Sequence, residues 1–197
     1  MDEARKEQFL ALLEPVYPRL LRYALAMTHD RENARDLVSE AILVALERFD
    51  FNRDESGFPG FLYRIVARTY KRWHRRDQRF AIIEESALEA ILDPNAMPDV
   101  AAEIAIVMTA LDRLPPKMKE TILLFDIADL SLKEIRNIQG GTLSGVKSRL
   151  RRGREMLKSI LGIEPEEISN KKKNHDQPVK NSETNIILME AIENYAL

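Results

Sequence analysis

The residues able to do chemistry in this chain are mainly cationic, and they fall in two clusters. Between Thr142 and Lys158 stand Lys147, Arg149, Arg151, Arg152, Arg154 and Lys158, against the single acid Glu155. Between Gly60 and Arg79 stand Arg64, Arg68, Lys71, Arg72, Arg75, Arg76 and Arg79, against Asp77, and Tyr63, Tyr70 and Trp73 are interleaved with them. Lys and Arg neutralise phosphates, Arg presents paired donors to a guanine edge, and aromatic faces stack on unpaired bases at about 1–3 kcal/mol per base. The later cluster therefore suits duplex DNA and the earlier one a melted strand. A third group, Asp36, Glu40, Leu43 and Glu47, recurs at helical spacing as an acidic stripe with an apolar centre. From spacing alone such a stripe reads as a solvated helix face.

Other chemistries find little support. The chain has no cysteine, so disulfides, thiolate metal sites and a nucleophilic thiol are excluded, which fits a reducing cytoplasm. His29, His74 and His175 are far apart in sequence, and no metal ion, cofactor or catalytic residue is expected. The Asp36 and Glu40 pair is the nearest approach to a metal-dependent hydrolase. Gly140 and Gly145 have the spacing of a phosphate loop, but Val146 separates Gly145 from Lys147-Ser148, where that motif needs Gly-Lys directly. The longest apolar run, 41–46, is too short to span a membrane, and the N-terminus lacks an apolar signal core.

The 197 residues, 45% hydrophobic and 31% charged, suit one ordinary domain or two small ones. A net charge of −2 conceals segregation, because 81–103 carries six acids and no base beside the two basic clusters. Helical periodicity runs through the chain and strand alternation is absent, so the expected fold is all-α, two small helical domains joined by a flexible linker.

The basic clusters need elements to hold them. Phe9, Leu13, Val16, Tyr17, Leu20, Ala24 and Leu25 follow one helical face, with Pro15 and Pro18 implying that the continuous helix begins after them. Asp30 is the expected N-cap of a second helix reaching about Phe49, with Ala34, Leu37, Val38, Ala41, Ile42 and Ala45 inward. Residues 50–60 read as a loop, and a third helix opens at Phe61 with Leu62, Ile65, Val66 and Thr69 packed. A short acidic helix over 81–92 and a linker over 93–98 follow. Beyond them Ile104, Val107, Met108 and Leu111 mark a helix over 100–114, and Pro115-Pro116 restarts one that buries Ile122, Leu123 and Ile127. Ser131 and Glu134 form a capping box, Ile135 and Ile138 mark the packed side of a short helix, and Gly140-Gly141 turns the chain. From Ser144 a basic helix packs through Val146, Leu150, Leu157 and Ile160. This helix, turn, basic helix is the layout of a helix-turn-helix. Polar composition predicts disorder over 164–185, while Ile187, Leu188, Ala191, Ile192 and Tyr195 give 186–197 an apolar face.

The stretches DLVSEAILVAL, GFPGFLYRIVARTYKRWHRR, LDRLPPKMKETILL and LSLKEIRNIQ followed by VKSRLRRGREML stand in an order and spacing that resembles the bacterial RNA polymerase sigma factors of the extracytoplasmic-function (ECF) group, over roughly residues 9–161. The resemblance implies a region 2-like domain at 1–80, an acidic linker at 81–99, a region 4-like domain at 100–162 and an additional tail at 163–197. It also implies core RNA polymerase and promoter DNA as partners. Asp36, Glu40, Leu43 and Glu47 would then grip the polymerase clamp, which reverses the solvated reading. Tyr63, Arg64, Arg68, Tyr70, Lys71, Arg72, Trp73, Arg75 and Arg76 would meet the minus-ten element, with the 50–60 loop holding a flipped base. Ser144, Gly145, Lys147, Ser148, Arg149, Arg151, Arg152 and Arg154 would meet the minus-thirty-five element.

The departures from the family pattern imply an unusual promoter preference: Ser144-Gly145 where Gly-Thr is frequent, Phe61 for a common Trp, and Arg68 for a frequent Asn. Gly153, inside a helix, costs about 1 kcal/mol relative to Ala, and close packing is the one account the sequence offers for it. An anti-sigma factor, or the amphipathic tail acting within the chain, would regulate access to DNA or polymerase. The competing reading is a stand-alone helix-turn-helix repressor or activator, which would bind duplex DNA without polymerase.

Overall fold

The structure, a computed structural model, describes residues 3–50, 55–80 and 98–163, with the backbone alone at 76–80 and 98–104. The expected helix at 81–92, the linker over 93–97 and the tail from 164 lie outside the described residues. The chain divides into two units, whose described parts are 3–80 and 98–163. Every regular element among the described residues is helical.

The first unit holds α1 (Glu3–Leu13), α2 (Tyr17–Thr28), α3 (Arg31–Arg48), a 3₁₀ turn (Glu55–Gly57) and α4 (Phe58–Phe80). α1 corrects the expectation that helix begins only after the prolines. Pro15 interrupts the chain between α1 and α2, and Pro18 sits in the first turn of α2, where its missing N–H breaks no intrahelical bond. Asp30 caps α3 as expected, its carboxylate accepting from the Asn33 N–H at 2.7 Å. α3 packs against both α2 and α4, burying Ala34, Leu37, Val38, Ala41 and Ala45. Its small residues let neighbouring helices approach closely.

α4 begins at Phe58, three residues before the expected start, because Phe58 is an anchor and not a loop residue. Its ring is 1% exposed and meets Phe9 and Phe49 edge-on, with centroids 5.4 and 5.0 Å away. Residues 58–60 are thus helix, the remainder of the expected 50–60 loop is shorter, and 51–54 lie outside the described residues.

The second unit holds α5 (Pro98–Asp112), α6 (Pro116–Ile122), a π-helical turn (Leu123–Ile127), α7 (Leu132–Gln139) and α8 (Leu143–Ile160). α5 starts two residues before the expected domain start at 100. Val107, Met108, Leu111, Ile122, Leu123, Leu124, Ile135, Val146, Leu150 and Leu157 form its core. The π-helical turn was not foreseen; it carries buried Phe125 and Asp126 beneath α8. Gly153 acquires its reason here. A Cβ at that position would lie 3.0 Å from Ile122 Cδ1 and 3.4 Å from Met118 Cβ, so the missing side chain is what lets α6 and α8 close on each other.

Candidate nucleic-acid interface

The helix-turn-helix forms as its caps dictate. The Ser131 hydroxyl accepts from the Glu134 N–H at 3.3 Å, and the Glu134 carboxylate accepts from the Ser131 N–H at 2.8 Å, so both halves of the capping box are made. Gly140 and Gly141 take φ of 76° and 90°, left-handed backbone that a side chain would strain, and this lets α7 stop and the chain turn. α8 starts at Leu143, one residue before the expected Ser144, because Thr142 is its N-cap: its hydroxyl accepts from the Gly145 N–H at 3.0 Å. A threonine hydroxyl is therefore present at this helix start, but it caps the backbone.

On α8 the cations divide by partner. Arg151 and Arg152 are exposed, as is Ser144, while Lys147, Ser148 and Arg149 are half-buried. Arg151 pairs with Glu155 at 2.8 Å, a surface i,i+4 contact of the weak class. Arg154 is different, and its expected place among the DNA contacts is corrected. Its guanidinium pairs with Asp126 through Nη2 and through Nε at 3.2 Å, and lies 5.2 Å from the Phe125 ring centroid. The Asp126 side chain is fully buried and that of Arg154 only 14% exposed. Arg154 thus bolts α8 onto the π-helical turn.

Gln139, which the sequence reading did not single out, is a hub. Its carboxamide oxygen accepts from Thr121 Oγ1 at 2.8 Å and from Arg149 Nη1, and its Nε2 donates to Glu120 Oε2 at 3.0 Å and to the Lys117 carbonyl at 3.3 Å. One side chain therefore fixes the end of α7 to α6 and α8 and orients Arg149. Only its place beside the turn marked it in sequence. Nearby, buried Lys119 donates to Asp112 Oδ1 at 2.7 Å. Burial pushes its ammonium below the usual lysine range, against the opposing pull of Asp112's charge and hydrogen bond.

In the first unit Arg68, Lys71, Arg72 and Arg75 are exposed on α4, Arg64 is half-buried, and the Arg76 side chain lies outside the described residues. Tyr70 is half-buried and stacks on His74, centroids 5.9 Å apart and planes 10° from parallel. Tyr63 is corrected. It is 1% exposed and meets Tyr23 edge-on at 5.4 Å, so its ring belongs to the core and offers no face to a base. Helical spacing placed it beside the cations, but α2 covers it.

The acidic stripe lies on α3. Asp36 and Glu47 are exposed, and Leu43, between them, is 62% exposed. Glu40 is the exception: Trp73 Nε1 donates to its Oε2 at 2.8 Å, and Arg72 Nη2 pairs with its Oε1. Among the described residues no helix is long and apolar enough to cross a membrane.

Two all-helical units, one with an aromatic and cationic helix and one with a basic helix-turn-helix, define a class of DNA-binding transcription factor, and comparison with known proteins names the family. Residues 12–80 match sigma-70 region 2 and residues 104–157 match sigma-70 region 4. The chain is 30% identical over 144 residues to the ECF RNA polymerase sigma-E factor of Haemophilus influenzae, covering 66% of this chain and 76% of that one. It is 28% identical over 161 residues to the RNA polymerase sigma factor YlaC of Bacillus subtilis, covering 79% and 93%. The fold also matches the sigma factor RpoE of Bartonella quintana, solved in complex with the anti-sigma factor NepR, with a TM-score of 0.63, 22% identity, and 81% and 99% of the two chains covered. The chain belongs to the sigma-70 family, as a sigma factor of the ECF group.

Proposed function

We propose that this chain acts in transcription initiation as the promoter-recognition subunit of bacterial RNA polymerase. α3 would dock on core polymerase through Asp36, Leu43 and Glu47. The exposed face of α4, with Arg68, Lys71, Arg72 and Arg75, would hold the minus-ten element and its opened strand. α8 would enter the major groove of the minus-thirty-five element, with Lys147, Ser148 and Arg149 toward the bases and Arg151 and Arg152 toward the phosphates. The observation that carries the reading is the pairing in one chain of both sigma-70 regions, each presenting cations on its exposed helix face.

On this reading the chain works in the cytoplasm and supplies binding energy and specificity, while nucleotidyl transfer belongs to the polymerase. An anti-sigma partner, such as the one the Bartonella relative is solved with, or the chain's own segment after Gly162 in its place, would regulate it. Deleting residues after Gly162 tests the tail, and unchanged polymerase binding, promoter binding and transcription would remove it from the scheme.

Run-off transcription from a pool of promoter fragments, with and without core polymerase, tests the function itself. Core-dependent transcripts from defined start sites are expected. Tight duplex binding without core, and no transcript with it, would favour a stand-alone regulator.

A further inference from the structure

Glu40 lies on two surfaces at once. By its place on α3 it belongs to the acidic stripe of Asp36, Leu43 and Glu47, yet both of its carboxylate oxygens are engaged by α4, one by Arg72 and one by the Trp73 indole. Both donors stand on the ridge assigned to the minus-ten strand. The side chains of Glu40 and Arg72 are 36% and 58% exposed, so each remains within reach of a competing ion. A pair this open is weak and exchangeable.

We infer that Glu40 is the coupling residue between polymerase docking and strand capture: in the free chain it occupies Arg72 and Trp73, and a polymerase cation that takes Glu40 releases them to the DNA. The inference deepens, and rests on, the sigma-factor reading above. An arginine neutralised by a neighbouring carboxylate cannot also displace a counterion from a phosphate, so the ridge of the free chain is one effective cation short. The indole N–H bond meanwhile holds the ring toward α3. When polymerase engages the stripe, the same carboxylate changes partner, and the ridge gains a cation at the moment DNA must be held open. Coupling of this kind is reciprocal. A single strand that takes Arg72 leaves Glu40 available, so it raises affinity for polymerase by the same factor.

The test uses the full chain without polymerase and a fluorescein-labelled single-stranded oligonucleotide, read by anisotropy between about 50 and 200 mM KCl. Glu40→Gln keeps an acceptor for the indole and removes the charge that holds Arg72. It should bind the strand more tightly than wild type, with a salt slope steeper by about 0.7, so that its advantage shrinks roughly threefold across that range. In an Arg72→Ala background the change in slope should vanish. Equal slopes for wild type and Glu40→Gln, or no measurable binding by either at the lowest salt, overturn the inference.

A second measurement needs no variant. Saturating oligonucleotide should raise the affinity of the wild-type chain for core polymerase, and no rise would overturn it. Wild-type run-off transcription is performed in parallel. Core-dependent transcripts with equal slopes defeat the coupling and leave the sigma-factor reading standing, whereas absence of core-dependent transcripts defeats that reading itself.

Discussion

Replacing Arg154 by methionine separates an architectural arginine from its DNA-facing neighbours. Methionine fills much of the volume of the arginine stem but leaves the Asp126 carboxylate, fully buried, without the guanidinium that bonds it through two nitrogens. Removing one partner of a buried ion pair costs about 3–5 kcal/mol, against a total stability of about 5–15 kcal/mol for a domain. Loss of the contact with the Phe125 ring adds to this. The unfolding equilibrium of the second unit should therefore shift by a factor of about 100 to several thousand, since about 1.4 kcal/mol is tenfold.

Urea unfolding of the full chain can assign the loss, because the single tryptophan, Trp73, lies in the first unit. Indole fluorescence follows that unit, while far-ultraviolet circular dichroism follows both. Arg154→Met should lower the midpoint of the second unit's dichroic transition and leave the fluorescence transition in place. Adding Asp126→Leu removes the stranded charge and should restore most of the loss, because apolar replacement of both partners is often neutral or stabilising. A loss under about 1 kcal/mol for Arg154→Met, together with weakened promoter binding at full folding, would refute the assignment of Arg154 to the core.

Further outcomes follow from particular contacts. Tyr63→Phe should leave strand binding unchanged in anisotropy titrations, because the ring is core, whereas Tyr63→Ala should cost about 3–5 kcal/mol in denaturant unfolding. Gly153→Leu should destabilise the second unit by about 1–3 kcal/mol, since its side chain must displace Ile122 and Met118; unchanged thermal unfolding would contradict that packing. Leu43→Glu should weaken core polymerase binding in a pull-down titration without altering the dichroic spectrum. Lys119 gives a pH dependence. Its folded-state pKa lies below the unfolded one, so between the two the unfolded chain holds more protons and stability rises with pH. Wild type should therefore gain on Lys119→Met as pH climbs from neutral toward about 10, in parallel urea titrations, and a constant difference would contradict the depressed pKa.

Local chemistry made much of this protein legible from sequence. The Asp30 cap, the Ser131–Glu134 box and the glycine turn bond within a few residues of themselves, so their outcome depends little on the rest of the chain. Helical period likewise announced two all-helical units, the packed faces of α3 and α8, and the positions of the cations. Four motifs in order were enough to name the family.

What a period of 3.6 residues cannot decide is which neighbour covers a given face, and the readings that changed all turn on this. Tyr63 shares spacing with the cations but is closed over by Tyr23 of α2, forty positions away. Arg154 continues the cationic stripe of α8, but the π-helical turn places a buried carboxylate beneath it. Phe58 reads as a loop residue until Phe9 and Phe49 converge on it. Glu40 looks like one more acid in a stripe until α4 brings Arg72 and Trp73 to its two oxygens. A cation's role depends on whether its nearest anion belongs to the protein or to a partner, and for residues distant in sequence only tertiary packing fixes that distance.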